Sequence, residues 1–185
     1  FTLDVWDAKL AETGSALVKA RRDLLDEMAG GLTSAYDAVA QKAAEVTAVY
    51  QQSWDGNLSG ALREARQLDI RRGVTTVGPH RDEILLSIGG APARTHASQG
   101  EQRSLALALR LAADAVVRVA GIAEPILLLD DVFSELDPGR AGALLDALPD
   151  SQRLLTTAAA LPPAASPDQI LSVVDGRLFD GGVVL

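Results

Sequence analysis

Two adjacent carboxylates at the end of an apolar run are the residues in this sequence best suited to metal and proton chemistry. The run ILLLD spans residues 126–130, ends at Asp130 and is followed directly by Asp131. A buried strand places its last carboxylate at the carboxyl edge of a parallel sheet, where α/β folds bind ligands. There Asp130 could hold Mg²⁺ opposite a nucleotide phosphate, and Asp131 could accept a proton from an attacking water. The alternative is an acid that merely ends a strand, because Asp favours turns.

A second candidate site lies where a helix begins. The stretch SQGEQ consists of Ser98, Gln99, Gly100, Glu101 and Gln102, and an apolar helical pattern follows it to about Val119. A serine and a glycine at a helix start offer an anion a hydroxyl, backbone N–H groups and the positive end of the helix dipole. The glycine also lets a phosphate approach closely. The ordinary alternative is a capping box, S-x-x-E, with no functional meaning.

The stretch SELD follows the two aspartates. It spans residues 134–137, and Asp137-Pro138 predicts a helix start with an N-cap and a proline in the first turn. On its own this stretch is compatible with an ordinary loop that leads into a cap.

The first part of the chain has a helical pattern. Apolar residues recur at helical spacing from Leu3 to Met28, and we expect Gly30-Gly31 to end that helix, with Thr33 or Ser34 capping the next one. The segment VTAVYQ (46–51) predicts a short strand. A turn at 55–57 precedes a second amphipathic helix that ends at Gly73.

From Val74 onwards, strands and helices alternate, which indicates an α/β fold with a mixed sheet and flanking helices. The predicted strands are TTVG (75–78), EILLSI (83–88) with a return through ARTHAS (93–98), ILLLD (126–130), RLLTTA (153–158) and a hairpin at 169–179 with Asp175-Gly176 at its tip. ILLLD and RLLTTA are expected to be buried strands, ILLLD on both faces. The stretch 158–167 predicts a loop.

Composition limits the classes of function. Apolar residues make up 48% of the 185 residues, which predicts a folded core, and the net charge of −8 argues against a basic face over the whole chain. The chain has no cysteine, which excludes disulfides, thiol catalysis and Cys-based zinc sites. No apolar run of about 18 residues occurs, so we expect no membrane partner and a cytoplasmic location.

The order of these motifs resembles the second half of an ABC-type ATPase head. In that comparison SQGEQ is the signature motif, ILLLD is Walker B, SELD is the D-loop and RLLTTA is the switch strand. The longer strings VGPHRDEI (77–84), THASQGEQRSLALALRLA (95–112), LLLDDVFSELD (127–137) and LLTTA (154–158) resemble the RecF family, which is related to the SMC-like ATPases. The resemblance covers the whole chain, as a helical arm (1–72) and the C-terminal half of the head (73–185).

The resemblance implies a role for each motif, with ATP and Mg²⁺ as cofactors. Asp130 would contact Mg²⁺, and Asp131 would be the catalytic base or would position the water. The residues Ser98 to Gln102 would bind the γ-phosphate of a nucleotide held by the partner subunit. Ser134 and Asp137 would lie at the dimer seam, and Thr156 and Thr157 would stand in the switch strand.

The resemblance also implies DNA as a partner. An ATP-dependent homodimer would clamp DNA at gaps or junctions and act with recombination mediator proteins in replication, gap repair, recombination and the SOS response. The candidate DNA-binding residues are Arg63, Arg66, Arg71 and Arg72, with His80 and Arg81 beyond the next strand. The alternative is a solvated helix face balanced by Glu64 and Asp69. Trp6 and Trp54 are predicted to be core residues rather than base-stacking platforms.

Two departures from the ABC pattern bear on activity. Asp131 stands where transporter ATPases carry Glu, and Thr156-Thr157 stand where they carry a switch His. The sequence also lacks G-x-x-x-x-G-K followed by Ser or Thr. We therefore expect a fragment of a weak ATPase that does not hydrolyse ATP alone. The alternatives are a non-catalytic dimerisation or partner-binding module and a fragment of a transporter ATPase subunit.

Overall fold

A computed structural model describes residues 2–121, 124–134 and 136–181. The chain divides into two compact units, residues 1–125 and 126–185. The predicted boundary at 72/73 falls inside the first unit, so the compact units do not follow it. The assignment of the two segments to an arm and a half-head stays a prediction.

The first unit begins with a long helix, α1 (Thr2–Ala40, 39 residues). The prediction that Gly30-Gly31 ends this helix, with a new cap at Thr33 or Ser34, is wrong. The buried side chains of Met28, Leu32 and Tyr36 continue at a spacing of four residues across the glycine pair. Their burial outweighs the helix cost of about 1 kcal/mol per glycine. Thr33 instead exchanges hydrogen bonds with the backbone of Val46, at 3.2 Å each.

The next two elements follow their sequence signals. Strand β1 (Val46–Gln51) is followed by helix α2 (Leu58–Arg72). The Asn57 side chain caps the start of α2 by accepting a hydrogen bond from the Gly60 N–H at 2.8 Å. At its end Gly73 adopts a left-handed conformation with φ of 67°. The predicted strand and the predicted end of α2 at Gly73 are confirmed.

The segment after α2 differs from the prediction. TTVG (75–78) is a loop, because Asp69 Oδ1 binds the backbone N–H and the hydroxyl of Thr76, and Gly78 has φ of 137°. Strand β2 (Glu83–Ile88) forms as predicted and pairs antiparallel with β1.

The return segment after β2 is shorter than predicted. Only β3 (Ala91–Pro92) pairs with β2, and residues Ala93–His96 form a short helix, α3. The predicted return through 93–98 is therefore wrong. Pro92 contributes no N–H to the ladder, which is consistent with the strand ending there.

The core of the first unit lies between α1 and α4 (Gln99–Val119). Leu32 and Tyr36 of α1 pack in one cluster with Leu105, Ala108 and Ala112 of α4. The small alanine side chains let the two helices approach closely. Trp6 is 67% exposed, so its predicted place in the core is wrong, whereas Trp54 is half-buried.

The second unit contains the strands that end in the candidate catalytic residues. β4 (Leu127–Asp130) pairs in parallel with β5 (Arg153–Thr156), in a register that places Asp130 opposite Thr156. Helix α5 (Pro138–Ala147) lies between them in sequence. A hairpin of β6 (Leu171–Val174) and β7 (Arg177–Asp180) follows, as predicted.

The predicted burial of the parallel strands is wrong. Leu129 is buried, but Leu128 is 69% exposed and Leu154 is 53% exposed. In the described ranges this sheet has two strands, and alternate side chains of β4 therefore emerge on an uncovered face. No helix of the described residues has the length and apolar character needed to cross a bilayer.

Candidate functional site

The start of α4 is held by a reciprocal capping box. The Ser98 hydroxyl oxygen accepts a hydrogen bond from the Glu101 N–H at 3.3 Å, and Glu101 Oε2 accepts from the Ser98 N–H at 3.0 Å and from its hydroxyl at 2.9 Å. Ser98 and Gln99 are exposed. The first-turn N–H groups of Gln99 and Gly100 have no intrahelical acceptor, as at any helix start. The capping box is thus present, and the helix start that carries it is exposed.

Two further contacts fix this segment. The Gln102 side-chain amide donates to the carbonyls of Ala97 (3.0 Å) and Ala93 (3.4 Å), so Gln102 braces its own loop. Lys42 lies 3.3 Å from Glu101 Oε1 and ties the segment after α1 to the start of α4. Sequence reasoning missed Lys42, because nothing local marks a contact between positions 59 residues apart.

The negative charge of Glu101 is stabilised by neighbouring groups. The backbone N–H of Ser98, then its hydroxyl, then Lys42 lower the pKa of the Glu101 carboxyl below its usual value of 4.5. Glu101 is therefore ionised at neutral pH, and Lys42 offsets its repulsion of an approaching phosphate.

In the second unit, the structure joins the predicted Walker B acid to the predicted switch strand. The Thr156 hydroxyl donates a hydrogen bond to Asp130 Oδ1. The Asp131 N–H donates to the Thr156 carbonyl at 3.0 Å and lies 3.3 Å from the Thr156 hydroxyl oxygen. The sequence places both residues at strand ends, but their direct contact depends on the pairing of β4 with β5, which no local signal fixes.

Asp131 occupies an unusual backbone conformation. Its φ is 49°, in the left-handed region that aspartate tolerates better than most residues. The Ser134 hydroxyl donates to the Asp131 carbonyl at 3.0 Å and closes the turn. The structure therefore brings Asp130, Asp131, Ser134 and Thr156 together at one strand end. Strain of this kind concentrates at functional sites.

The remaining predicted residues of this unit have local roles. Asp137 caps α5 by accepting a hydrogen bond from the Arg140 N–H at 3.0 Å, and its other carboxylate oxygen lies 3.6 Å from Arg140 Nε. The Thr157 hydroxyl accepts from the Ala159 N–H at 3.1 Å, within its own turn. Glu135 of the SELD stretch lies outside the described residues.

Asp130 fits a magnesium ion as one ligand of several. Its carboxylate is exposed at the strand end, and carboxylate oxygens are the donors that Mg²⁺ prefers. Among the described residues no group of three or more His, Asp or Glu side chains forms a metal site. The protein would thus supply one or two oxygens, with waters and nucleotide phosphates supplying the rest, which is usual for Mg²⁺.

The predicted DNA-binding arginines differ in their exposure and in their contacts. Arg66 turns towards α1 and forms ion pairs with Asp4 and Asp7, which raise its pKa. The other three arginines of α2 are exposed, namely Arg63, Arg71 and Arg72. The loop histidine and arginine, His80 and Arg81, contact the Thr75 carbonyl at 3.0 and 3.3 Å.

Comparison with known proteins identifies the fold. No protein-family model matches the chain. The chain is 44% identical over 173 residues to the DNA replication and repair protein RecF of Frankia alni, covering 85% of this chain and 46% of that protein. It is 43% identical over 168 residues to the RecF protein of Streptomyces avermitilis, covering 85% of this chain and 45% of that protein.

Solved structures of RecF proteins also match the chain. The recombination mediator protein RecF with ATP, of the RecFOR pathway, matches 98% of this chain and 50% of that chain, with a TM-score of 0.78 and 26% identity. The corresponding ATPγS structure matches 97% of this chain with a TM-score of 0.77. These matches confirm the predicted fold class. The chain spans about half the length of the curated relatives that it matches, and it belongs to the RecF family.

Proposed function

We propose that this chain forms the signature, magnesium-binding and D-loop part of an ATP-dependent DNA-binding protein of RecF type. That protein acts in DNA replication, gap repair and recombination, including the SOS response. The observation that carries the proposal is the exposed start of α4 at Ser98, which presents free first-turn N–H groups in a member of the RecF family. The solved RecF with ATP supports ATP as the ligand.

The start of α4 binds the γ-phosphate of a nucleotide held by a second subunit. The N–H groups of Gln99 and Gly100 donate to the phosphate, aided by the helix dipole. The Ser98 hydroxyl, which donates to Glu101 at 2.9 Å, turns its hydrogen to the phosphate instead. ATP then joins two subunits, and its hydrolysis releases them.

The strand-end cluster prepares the metal and the water. Asp130 would hold Mg²⁺, which would supply positive charge to neutralise the phosphate oxygens. The Thr156 hydroxyl fixes the orientation of Asp130. Asp131 positions the attacking water or takes its proton, from a turn closed by Ser134. Since Asp131 is shorter than Glu and no switch histidine assists it, we expect slow turnover.

The dimer acts on DNA with recombination mediator proteins, in the cytoplasm. The names of the relatives, which are DNA replication and repair proteins and a mediator of the RecFOR pathway, support this part of the proposal. These names disfavour the alternative that the chain is a fragment of a transporter ATPase subunit. A non-catalytic dimerisation module remains the second candidate, because the sequence contains no phosphate-binding loop with its lysine.

The test uses a full-length RecF protein that contains this chain. Ser98→Arg should abolish ATP-dependent dimers in analytical ultracentrifugation while ATP binding by the monomer persists. Asp131→Asn should slow ATP turnover while the dimers form. Ser34→Arg, at an exposed serine of α1, is the matched control and should dimerise normally. Dimerisation of Ser98→Arg equal to that of the wild type would refute the role given to this helix start.

A further inference from the structure

Two cavities in the first unit share Trp54 as a lining residue. The first has a volume of about 320 Å³ and contains Arg81 on its lining, and the second has a volume of about 250 Å³ and contains Arg22. Gln52 also lines both. Volumes of this size lie at or just below the lower end of small-ligand clefts, about 300–1,000 Å³. Each cavity thus combines one aromatic wall with one guanidinium.

The side chains of the two arginines contact neutral groups. Arg22 donates to Gln52 Oε1 at 3.0 Å and lies 5.6 Å from the centre of the Tyr50 ring, and Arg81 donates to the Thr75 carbonyl at 3.3 Å. Neither arginine forms an ion pair with a carboxylate in the part of the chain that the structure describes. Their charge is therefore available to a phosphate. By contrast, Lys19 in the second cavity is paired with Asp23 at 2.5 Å.

The segment that carries Trp54 is held in place before any ligand binds. Asp82 accepts hydrogen bonds from the Tyr50 hydroxyl and, at 2.9 Å, from the Ser53 N–H. The Gln52 side-chain amide donates to the Trp54 carbonyl at 2.9 Å. A backbone segment that is already fixed loses little conformational entropy on binding.

We propose that Trp54, Arg22 and Arg81 form a binding site for single-stranded DNA. One base stacks on the indole in each cavity, and the two arginines take the flanking phosphates, which is how many proteins bind single strands. Asp55 and Glu83 also line the first cavity, and their carboxylates can accept hydrogen bonds from the exocyclic amino group of a cytosine.

This site differs from the footprint predicted on α2. Arg63, Arg71 and Arg72 line neither cavity, and Arg66 is paired with α1. The inference rests on the proposed function in taking DNA as the partner. It does not depend on ATP or on the start of α4.

The test uses the 185-residue chain, which contains two tryptophans. Trp6→Phe leaves Trp54 as the sole tryptophan, and an oligo(dC) of about 12 nucleotides should quench its fluorescence at low salt. In anisotropy titrations of the labelled oligonucleotide, Trp54→Ala should weaken binding about 5- to 150-fold, the range for loss of one stacked base. The affinity of Trp54→Phe should lie between those of the wild type and Trp54→Ala, because phenylalanine keeps an aromatic ring on which a base can stack.

The arginines are tested by salt dependence. Arg22→Gln and Arg81→Gln should each weaken binding and reduce the slope of log K against log salt by about 0.7. Arg110→Gln, which removes the same charge from an exposed position of α4 outside both cavities, should leave the affinity unchanged.

Four outcomes would overturn the proposal. The first three are no quenching of Trp54, wild-type affinity in Trp54→Ala, and an Arg110→Gln defect as large as that of Arg81→Gln. Quenching by ATP alone as strong as that by the oligonucleotide would also do so, since the site would then take a mononucleotide. Ser98→Arg should bind the oligonucleotide normally, so failure of the ATP-dependent dimer and failure of this site are distinguishable.

Discussion

At the level of single residues, both candidate elements pair a hydroxyl with a carboxylate. The Ser98 hydroxyl donates to Glu101, and the Thr156 hydroxyl donates to Asp130. The Glu101 carboxylate fixes Ser98, which the proposed mechanism places beside phosphate, and the Thr156 hydroxyl fixes Asp130, which it places beside the metal. All four residues could be named as candidates from the sequence. The Ser98–Glu101 pair was predictable as well, because it is local, whereas the Thr156–Asp130 pair depends on strand pairing.

The capping box predicts a pH dependence of stability. The folded state depresses the pKa of Glu101 below 4.5, so its stabilising contribution is present above that pH and is lost as the pH falls through the lower, folded pKa. Glu101→Gln should therefore be less stable than the wild type near neutral pH, and the difference should narrow in acid. Urea unfolding between about pH 6 and pH 3 measures it.

Lys42→Gln serves as the control for this prediction. Lys42 is a smaller cause of the depressed pKa than the Ser98 N–H and hydroxyl, so this variant should retain most of the pH dependence. A difference between wild type and Glu101→Gln that stays constant with pH would contradict the prediction.

The Thr156–Asp130 contact predicts a change in magnesium dependence. In a full-length RecF protein containing this chain, Thr156→Val removes the donor that orients Asp130, whereas Thr156→Ser keeps it. The valine variant should need about 10-fold more Mg²⁺ for half-maximal ATP turnover, the usual cost of losing such a partner. The serine variant should resemble the wild type. Equal Mg²⁺ dependence in all three proteins would show that Thr156 does not position Asp130.

At the level of helices and strands, caps and turns that neighbouring residues fix could be predicted. Features that depend on packing between distant parts of the chain could not. The end of α2 at Gly73, the capping box of α4 and the hairpin tip at Asp175-Gly176 were predictable, because each is fixed within a few residues. The continuation of α1 through Gly30-Gly31 was not, since it depends on packing against α4. The exposure of β4 was also missed, because strand burial depends on how many neighbours the sheet has.

The glycines of α1 offer a direct test of this distinction. An added Cβ at Gly30 or Gly31 meets no atom within 4 Å. Gly30→Ala and Gly31→Ala should each stabilise the chain by about 0.5–1 kcal/mol in urea unfolding, because alanine is the better helix former.

Gly14 should behave in the opposite way. There a Cβ would lie 2.7 Å from Leu58 Cδ2 and 3.2 Å from Pro79 Cγ, in a buried contact between α1 and its neighbours. Gly14→Ala should destabilise the chain by about 1–3 kcal/mol. A stabilising Gly14→Ala would mean that α1 does not pack against Leu58 as described.

At the level of the whole molecule, each of the two compact units carries some of the residues that are proposed to act on nucleotide. SQGEQ belongs to the unit of residues 1–125, and Asp130, Asp131 and Thr156 belong to the unit of residues 126–185. The sequence indicated the order of these elements, and it also showed that the loop which cradles the β- and γ-phosphates is missing from them. A phosphate contact at the start of α4 is therefore only one side of a site.

The chain alone should accordingly bind ATP weakly. It has no phosphate-binding loop with its lysine. Isothermal titration with Mg-ATP should give a Kd no tighter than about 1 mM, or −4.1 kcal/mol. A full-length RecF protein containing the chain is the control and should bind more tightly. Micromolar binding by the chain alone would contradict the proposed division of the site, since these 185 residues would then build a nucleotide pocket without a second subunit.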